Sequence, residues 1–317
     1  MYTRAANIIE IAVCSDFTRE WKENAHAFSV KNASGQVVGS PPLLDFSNPD
    51  AAAFWVKAVH SATTHMLPAD VGDGPVLDYL YVDQNGLGPI PGVSAAQSAA
   101  LLRAKQAAIA ALQAAVTANG YGQRVILNSC DAIENMVWDR ATNVSGAMFD
   151  HWSILQFLNR STGDFDADRM DEAFTLVTNG SFGELGVQIK GWPGPIVSQK
   201  DIYHKPLVSP TTPKEKQQIS GARFNSELAL FLLVARPQDF WVYSWFWDFD
   251  DYIPRLPDST VPAVFFPETK CALGAPKSDY VRTPGTVVYR REFEHASVYV
   301  DLANRTASRV DFVGCGA

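Results

Sequence analysis

The sequence has no surplus of positive charge: 26 Lys and Arg stand against 34 Asp and Glu, a net charge of -8 over 317 residues. Gripping the phosphates of a nucleic acid or an acidic polysaccharide needs an excess of cations, so no nucleic-acid partner is expected. Long apolar runs are missing too. The longest, Leu228 to Ala235, stops at Arg236-Pro237, well short of the roughly 18 residues that span a bilayer, and no membrane partner is expected. Cysteine is scarce. Cys14, Cys130, Cys271 and Cys315 lie far apart without a CxxC pair, which removes the zinc-knuckle and dithiol redox signatures. Cys271 and Cys315 share the C-terminal segment and either pair, if the compartment oxidises, or stay as buried thiols.

Several catalytic signatures are absent as well. His26, His60, His65, His151, His204 and His295 show neither HxxxH nor HxH spacing, so no metal is expected. No GxSxG elbow, Walker A loop or GxGxxG turn follows a strand, leaving serine hydrolase, NTPase and dinucleotide chemistry without an anchor and no cofactor to expect. The stretch from Met1 to Cys14 is too short and too quickly polar for a secretory signal, so nothing in it directs export and a cytoplasmic location stands as the alternative. Five Asn-x-Ser/Thr sequons, at Asn32, Asn143, Asn159, Asn179 and Asn304, pull the other way, toward a secreted glycoprotein.

What is present is an ordinary globular composition, 47% hydrophobic and 19% charged. Its apolar, β-branched and aromatic runs alternate with helical stretches, the pattern of parallel strands joined by crossover helices. The strands expected are Ile8 to Cys14, Leu43 to Phe46, Leu77 to Asp83, Arg124 to Asn128, Ala147 to Asp150, Val187 to Gly191 and Phe240 to Phe246. Helices are expected over Ser94 to Ala118, stopped by Asn119-Gly120, over Ala51 to Thr63 behind an Asn48 cap and Pro49, and over Asn225 to Ala235. A barrel of this kind takes roughly 250 residues. The expectation is therefore a (β/α)8 TIM barrel over residues 1–252, one strand short, with a small antiparallel β unit over 253–317. In that last part prolines break up the chain before Val287 to Phe293, Ser297 to Leu302 and Arg309 to Val313.

In such barrels the active site lies at the carboxyl ends of the strands. Asp83 ends the strand Leu77-Asp-Tyr-Leu-Tyr-Val-Asp83 and leads into Gln84-Asn85-Gly86. Asp150 ends Ala147-Met-Phe-Asp150 beside His151 and Trp152, and Asn128 tips a third strand. Cleaving a glycosidic bond takes two carboxyl groups, one to protonate the leaving oxygen and one to attack the anomeric carbon or activate water. Asp83 and Asp150 meet that need, with Glu134 as the other candidate proton donor. Sugars offer flat apolar faces ringed by hydroxyls, so their sites combine aromatic platforms with polar groups. Tyr81, Asn85, Asn128, Trp152, Lys190, Trp192 and Trp245 are the candidates for substrate binding. Asp45, before Phe46-Ser47-Asn48-Pro49, either binds substrate too or organises the turn. Asp78, at its strand's start, is read as a cap.

The segment Leu43-Leu44-Asp45-Phe46-Ser47-Asn48-Pro49, followed by a helix bearing Trp55, resembles the hypothetical glycosyl hydrolase barrels. The strand ending in Asp83 is similar to the fourth strand of alpha-galactosidase and alpha-glucosidase type barrels, which implies that Asp83 is the nucleophile. Asp150 matches their sixth-strand acid/base. Leu273-Gly-Ala-Pro276 and Val288 to Phe293 resemble the β segment that closes many such hydrolases. The resemblance implies a glycosidase acting on an oligo- or polysaccharide by a retaining route, or else a non-catalytic sugar-binding barrel that keeps only the aromatic platform. One departure stands out: only one strand precedes Leu43 to Phe46. Either the chain is truncated at its N-terminus, or a further strand lies between Trp21 and Val38.

Overall fold

The computed structural model describes residues 2–4, 15–39, 42–65, 79–83, 90, 92–118, 120, 123–128, 141–149, 166–180, 182–191, 213–243, 266–304 and 307–315. They fall into two compact units, residues 1–148 with 181–187 and residues 149–180 with 188–317.

The first unit carries helices α1 (Ser15–Phe28), α2 (Pro49–His65) and α3 (Ala95–Ala118) with strands β1 (Tyr2–Arg4), β2 (Tyr79–Asp83), β3 (Arg124–Asn128) and β4 (Gly146–Phe149). The strands pair in parallel in the order β1-β2-β3-β4. Helix α2 starts as its sequence dictates. The Asn48 amide oxygen accepts the backbone N–H of Asp50 (3.0 Å) and Ala51 (3.4 Å), and Pro49 takes the first helical position, where no N–H is needed. Phe54, Trp55, Ala58 and Val59 are all buried; Phe28 packs on Phe54 and Phe46 on Trp55, each at 5.4 Å between ring centres.

Ala-rich α3 buries Leu101, Ala108, Ile109, Leu112 and Val116, a helical spacing along one stripe. From that helix Gln113 reaches the sheet, its side-chain oxygen accepting the Val125 N–H at 3.0 Å and the Ser145 hydroxyl at 2.8 Å. Two elements are thereby tied through one amide. The segment 182–186 closes tightly on the residues that lead into β4: Gly183 adopts φ +77°, and a Cβ there would lie 2.3 Å from the Val144 carbonyl oxygen, so no other residue fits.

The second unit holds α4 (Ala167–Asn179), α5 (Pro213–Val234), the parallel pair β5 (Val187–Gly191) and β6 (Phe240–Tyr243), and four antiparallel strands. These are β7 (Val281–Arg282), β8 (Val288–Glu292), β9 (Ala296–Asp301) and β10 (Arg309–Phe312), in the order β10-β9-β8-β7. Asp166 caps α4 by accepting the Arg169 N–H at 3.0 Å. Along β8 and β9 burial alternates, with Tyr289, Arg291, Val298 and Val300 inward, and α5 packs against β8, β9 and β10. Arg291 is the unusual member of that face. Its guanidinium donates to the carbonyls of Leu232 (3.1 Å), Leu233 (3.2 Å) and Ala235 (2.8 Å), filling the acceptors that the end of α5 leaves open. Cys271 and Cys315 form a disulfide, with Cα atoms 5.6 Å apart.

The expected strands over Arg124 to Asn128 and Val187 to Gly191 form as read, and those ending at Asp83 and near Phe149 form with shifted bounds. Leu43 to Phe46 does not. It makes a single antiparallel bridge, Leu44 to Ser29, because its backbone bonds to the loop before it: Val30 N–H to Leu43 O at 2.8 Å and Asp45 N–H to Phe28 O at 2.7 Å. No regular strand lies between Trp21 and Val38, which end α1 and then turn back on themselves. The strand beside β2 is Tyr2–Arg4, and Ile8 to Cys14 lies outside the described residues. Helix α5 begins at Pro213, twelve residues earlier than its apolar pattern announces, running through Gly221. A glycine costs a helix about 1 kcal/mol, and the burial of Phe224 and Leu228 on the same helix outweighs it. Helices α1 and α4 and strand β7 are additions to the sequence reading.

Candidate active site

Strands β1, β2 and β3 are parallel, so their carboxyl ends share one edge, and the register brings three polar residues into one row there. Asp83 is the Cα partner of Asn128 on one side and of Arg4 on the other. The residues just before them are apolar: Leu80 and Val82 on β2, Val125, Ile126 and Leu127 on β3, all buried. A strand covered on both faces reads as a continuous apolar run. The first polar residue after the run therefore marks the edge where the sheet ends. Asn128 is 0% exposed, and an amide removed from water is tolerated only within a hydrogen-bonded setting. Arg4 escapes a reading of the sequence because Tyr2–Arg4 is three residues long, too short to show alternation.

The other candidates separate into those the structure describes and those it does not. Strand β4 ends at Phe149 and pairs with β3 through Ile126 with Gly146 and Leu127 with Ala147. Asp150 follows directly and, with Asn85, Glu134, Trp152, Trp192 and Trp245, lies outside the described residues. Tyr81 is set in β2 opposite Ile126 and Tyr2. Lys190 is set in β5 opposite Val242, next to Gly191, which pairs with Tyr243. Gly191 is needed there for room: a Cβ would lie 2.9 Å from the Trp241 indole nitrogen and 3.0 Å from the Tyr243 ring. Of the aromatic run on β6, the half-buried Trp241 and Tyr243 pack on each other (5.2 Å) and around Phe224 (5.4 Å each), so both have packing work.

Asp45 sits at a distance in sequence from that edge and has local work. Its carboxylate accepts the N–H of Ser47 at 2.9 Å and the Ser47 hydroxyl, and its carbonyl accepts the Asn48 N–H at 3.0 Å. That is an Asx turn delivering the chain to the cap of α2. These bonds are the ones that a turn-organising Asp45 makes.

The chain matches the hypothetical glycosyl hydrolase family 15 over residues 7–297. It belongs to that family. The match takes in both parallel and antiparallel parts of the molecule, as far as the start of β9, and bears out the resemblance to the hypothetical glycosyl hydrolases read from Leu43 to Pro49. No curated protein matches the chain. The membership supports a glycosyl hydrolase, and the Asp83–Asn128 row on β2 and β3 is the described part of the candidate site.

Proposed function

We propose that this family member is a glycosidase acting on an oligo- or polysaccharide, with Asp83 as nucleophile and Asp150 as general acid/base on a (β/α)8 barrel. In this reading the barrel spans residues 1–252 and the β segment of 253–317 is its appendage. The observation that carries it is the position of Asp83: a carboxylate at the carboxyl edge of a parallel sheet, in register with the buried Asn128, is where barrel enzymes assemble their chemistry. Asp150, the residue that follows β4 in the chain, is the second carboxylate of this reading.

The chemistry follows from two carboxyl groups with opposite duties. Asp83, ionised, attacks the anomeric carbon while Asp150, protonated, gives its proton to the leaving oxygen. Asp150 then takes a proton from water as that water releases the sugar from Asp83. Retention needs the carboxyl groups about 5 to 5.5 Å apart, and inversion about 6.5 to 9.5 Å, with room for the water. Asn128 is suited to hold a sugar hydroxyl or the Asp83 carboxylate, and Lys190, Tyr81, Asn85, Trp152, Trp192 and Trp245 to complete the sugar-binding surface. The Cys271–Cys315 disulfide supports a secreted protein, since such bonds persist in oxidising compartments.

A screen of chromogenic glycosides and polysaccharides, with Asp83→Asn beside the wild type, tests the reading. Turnover is expected, lost by about 10²- to 10⁴-fold in the variant. Undiminished turnover in Asp83→Asn removes Asp83 from the mechanism, and sugar binding with no turnover in the wild type turns the chain into a non-catalytic barrel.

A further inference from the structure

The antiparallel sheet has two faces, and folding accounts for one of them. Tyr289, Arg291, Val298, Val300 and Val310 are buried on the first, where α5 packs against β8, β9 and β10. On the opposite face the strand register lines up one residue from each strand: Val281 on β7, Arg290 on β8, Tyr299 on β9 and Arg309 on β10. Neighbouring strands lie about 4.8 Å apart, so the row crosses roughly 14 Å of sheet. It begins at an apolar side chain, since Val281 is 64% exposed. Both arginines are exposed and Tyr299 is half-buried between them, with each guanidinium carbon 5.0 Å from the ring centre.

The charges on this face leave one cation over. Asp311 is taken by Arg309, its carboxylate 3.0 Å from the guanidinium Nε. Glu292 accepts the Ser297 hydroxyl at 2.7 Å, and Asp301 accepts the backbone N–H groups of Ala303 (3.0 Å) and Asn304 (3.1 Å). No carboxylate of the described residues pairs with Arg290, and the Tyr299 hydroxyl makes no hydrogen bond among them. A cation–π contact uses the charge of a guanidinium and the face of a ring; it fills none of the N–H donors. Those donors form a planar fork that matches a carboxylate. In a chain of net charge -8, a cation left over beside a second one is complementary to an anion. The acids elsewhere oppose a long polyanion spread over the whole surface, but two guanidiniums suffice for one acidic unit. An exposed apolar end, a ring edge and an open phenol hydroxyl add what the C–H face and hydroxyls of a sugar need.

We propose that the row of Val281, Arg290, Tyr299 and Arg309 is an accessory, non-catalytic binding surface for a glycan that bears uronate units, with the carboxylate on Arg290 and the sugar ring against Tyr299 and Val281. The choice of a sugar rests on the glycosidase reading; the choice of an acidic one rests on the sheet. Such a surface ties an acidic stretch of polymer to the β segment.

Isothermal titration calorimetry of the full chain with a short oligogalacturonate tests it, beside the neutral galactose oligomer of the same length and a polyglutamate peptide. The expected result is binding of the oligogalacturonate alone, weakened about tenfold or more in Arg290→Gln and largely kept in Arg290→Lys, which preserves the charge. Binding should also weaken between about 0.05 M and about 0.5 M salt, as the Debye length shortens. No binding by the wild type, equal binding in Arg290→Gln, equal binding of the neutral oligomer, or binding of polyglutamate instead overturns the proposal. The same titration on Asp83→Asn separates the two readings. Binding that persists there lies off the candidate catalytic edge and supports the surface; binding that disappears belongs to that edge and overturns it. Turnover is followed separately on glycosides, so the glycosidase reading can fail while the binding result stands.

Discussion

The parallel sheet of the first unit and the antiparallel sheet of the second treat their polar residues in opposite ways. Strand β3 is buried along Val125, Ile126, Leu127 and Asn128, so its polarity appears only at its ends, Arg124 and Asn128. Strands β8 and β9 alternate buried and open positions over their whole length, and spread their charges along a solvated face. The first arrangement concentrates polar groups at one edge, as a catalytic site needs; the second distributes them. Where the antiparallel sheet does bury a charge, at Arg291, the partners are the last carbonyls of α5. That is structural work.

The comparison predicts that substitutions at the parallel edge change rate with little change in stability, and that the reverse holds in the antiparallel sheet. The largest effect is the one on catalysis. Asp83→Asn should cut kcat by about 10²- to 10⁴-fold while the thermal midpoint hardly moves; a large fall in the midpoint would place Asp83 among the structural groups.

Next comes the disulfide. It closes a separation of 44 residues, worth about 4 kcal/mol in the chain-entropy account, so Cys271→Ser should lose roughly 2 to 4 kcal/mol in denaturant titrations with turnover retained. Arg291→Met, which abandons the carbonyls of Leu232, Leu233, Ala235 and Ser278, should cost about 3 kcal/mol. Hydrogen exchange would show the loss at the end of α5 first, and an unchanged exchange pattern there would break the argument for Arg291 as its cap.

A pH effect follows from Tyr280, just before β7, and Tyr289 on β8. Burial pushes both phenols up, and at Tyr289 the nearby Asp171 adds to the rise. A raised pKa means the folded state holds these protons more tightly, so their contribution is intact below the ordinary tyrosine value of about 10 and is lost as the pH climbs above it. Unfolding free energy should fall there by at most about 1.4 kcal/mol per pH unit per tyrosine. Tyr289→Phe should flatten that slope.

The smallest effect sharpens the boundary between the two kinds of residue. Asp45→Ala should cost about 1 kcal/mol by loosening the turn before α2, with KM unchanged. A raised KM at unchanged stability would return Asp45 to the sugar site.

Local signals were legible where a few neighbouring residues decide the outcome. Asn48-Pro49 announces the start of α2, Ser94 to Ala118 announces α3, and the run ending in Asn128 announces β3, because capping, helical spacing and apolar continuity are properties of short segments. Leu43 to Phe46 looked like another strand for the same reason, having the right residue types, but its hydrogen bonds went to the loop 28–38. Arg4 went unseen because three residues carry no pattern.

The sequence by itself determined the class: no cationic surplus for polyanions, no long apolar run, and strand-end carboxylates in a chain that belongs to a glycosyl hydrolase family. Only the tertiary structure decided which of these residues are neighbours. Register put Asp83 between Arg4 and Asn128, and folding joined Cys271 to Cys315 across 44 positions and sent Arg291 to the end of α5. Periodicity reports which face of an element is buried. Which element covers that face is settled by contacts between segments far apart in the chain, whose pairing no local pattern encodes.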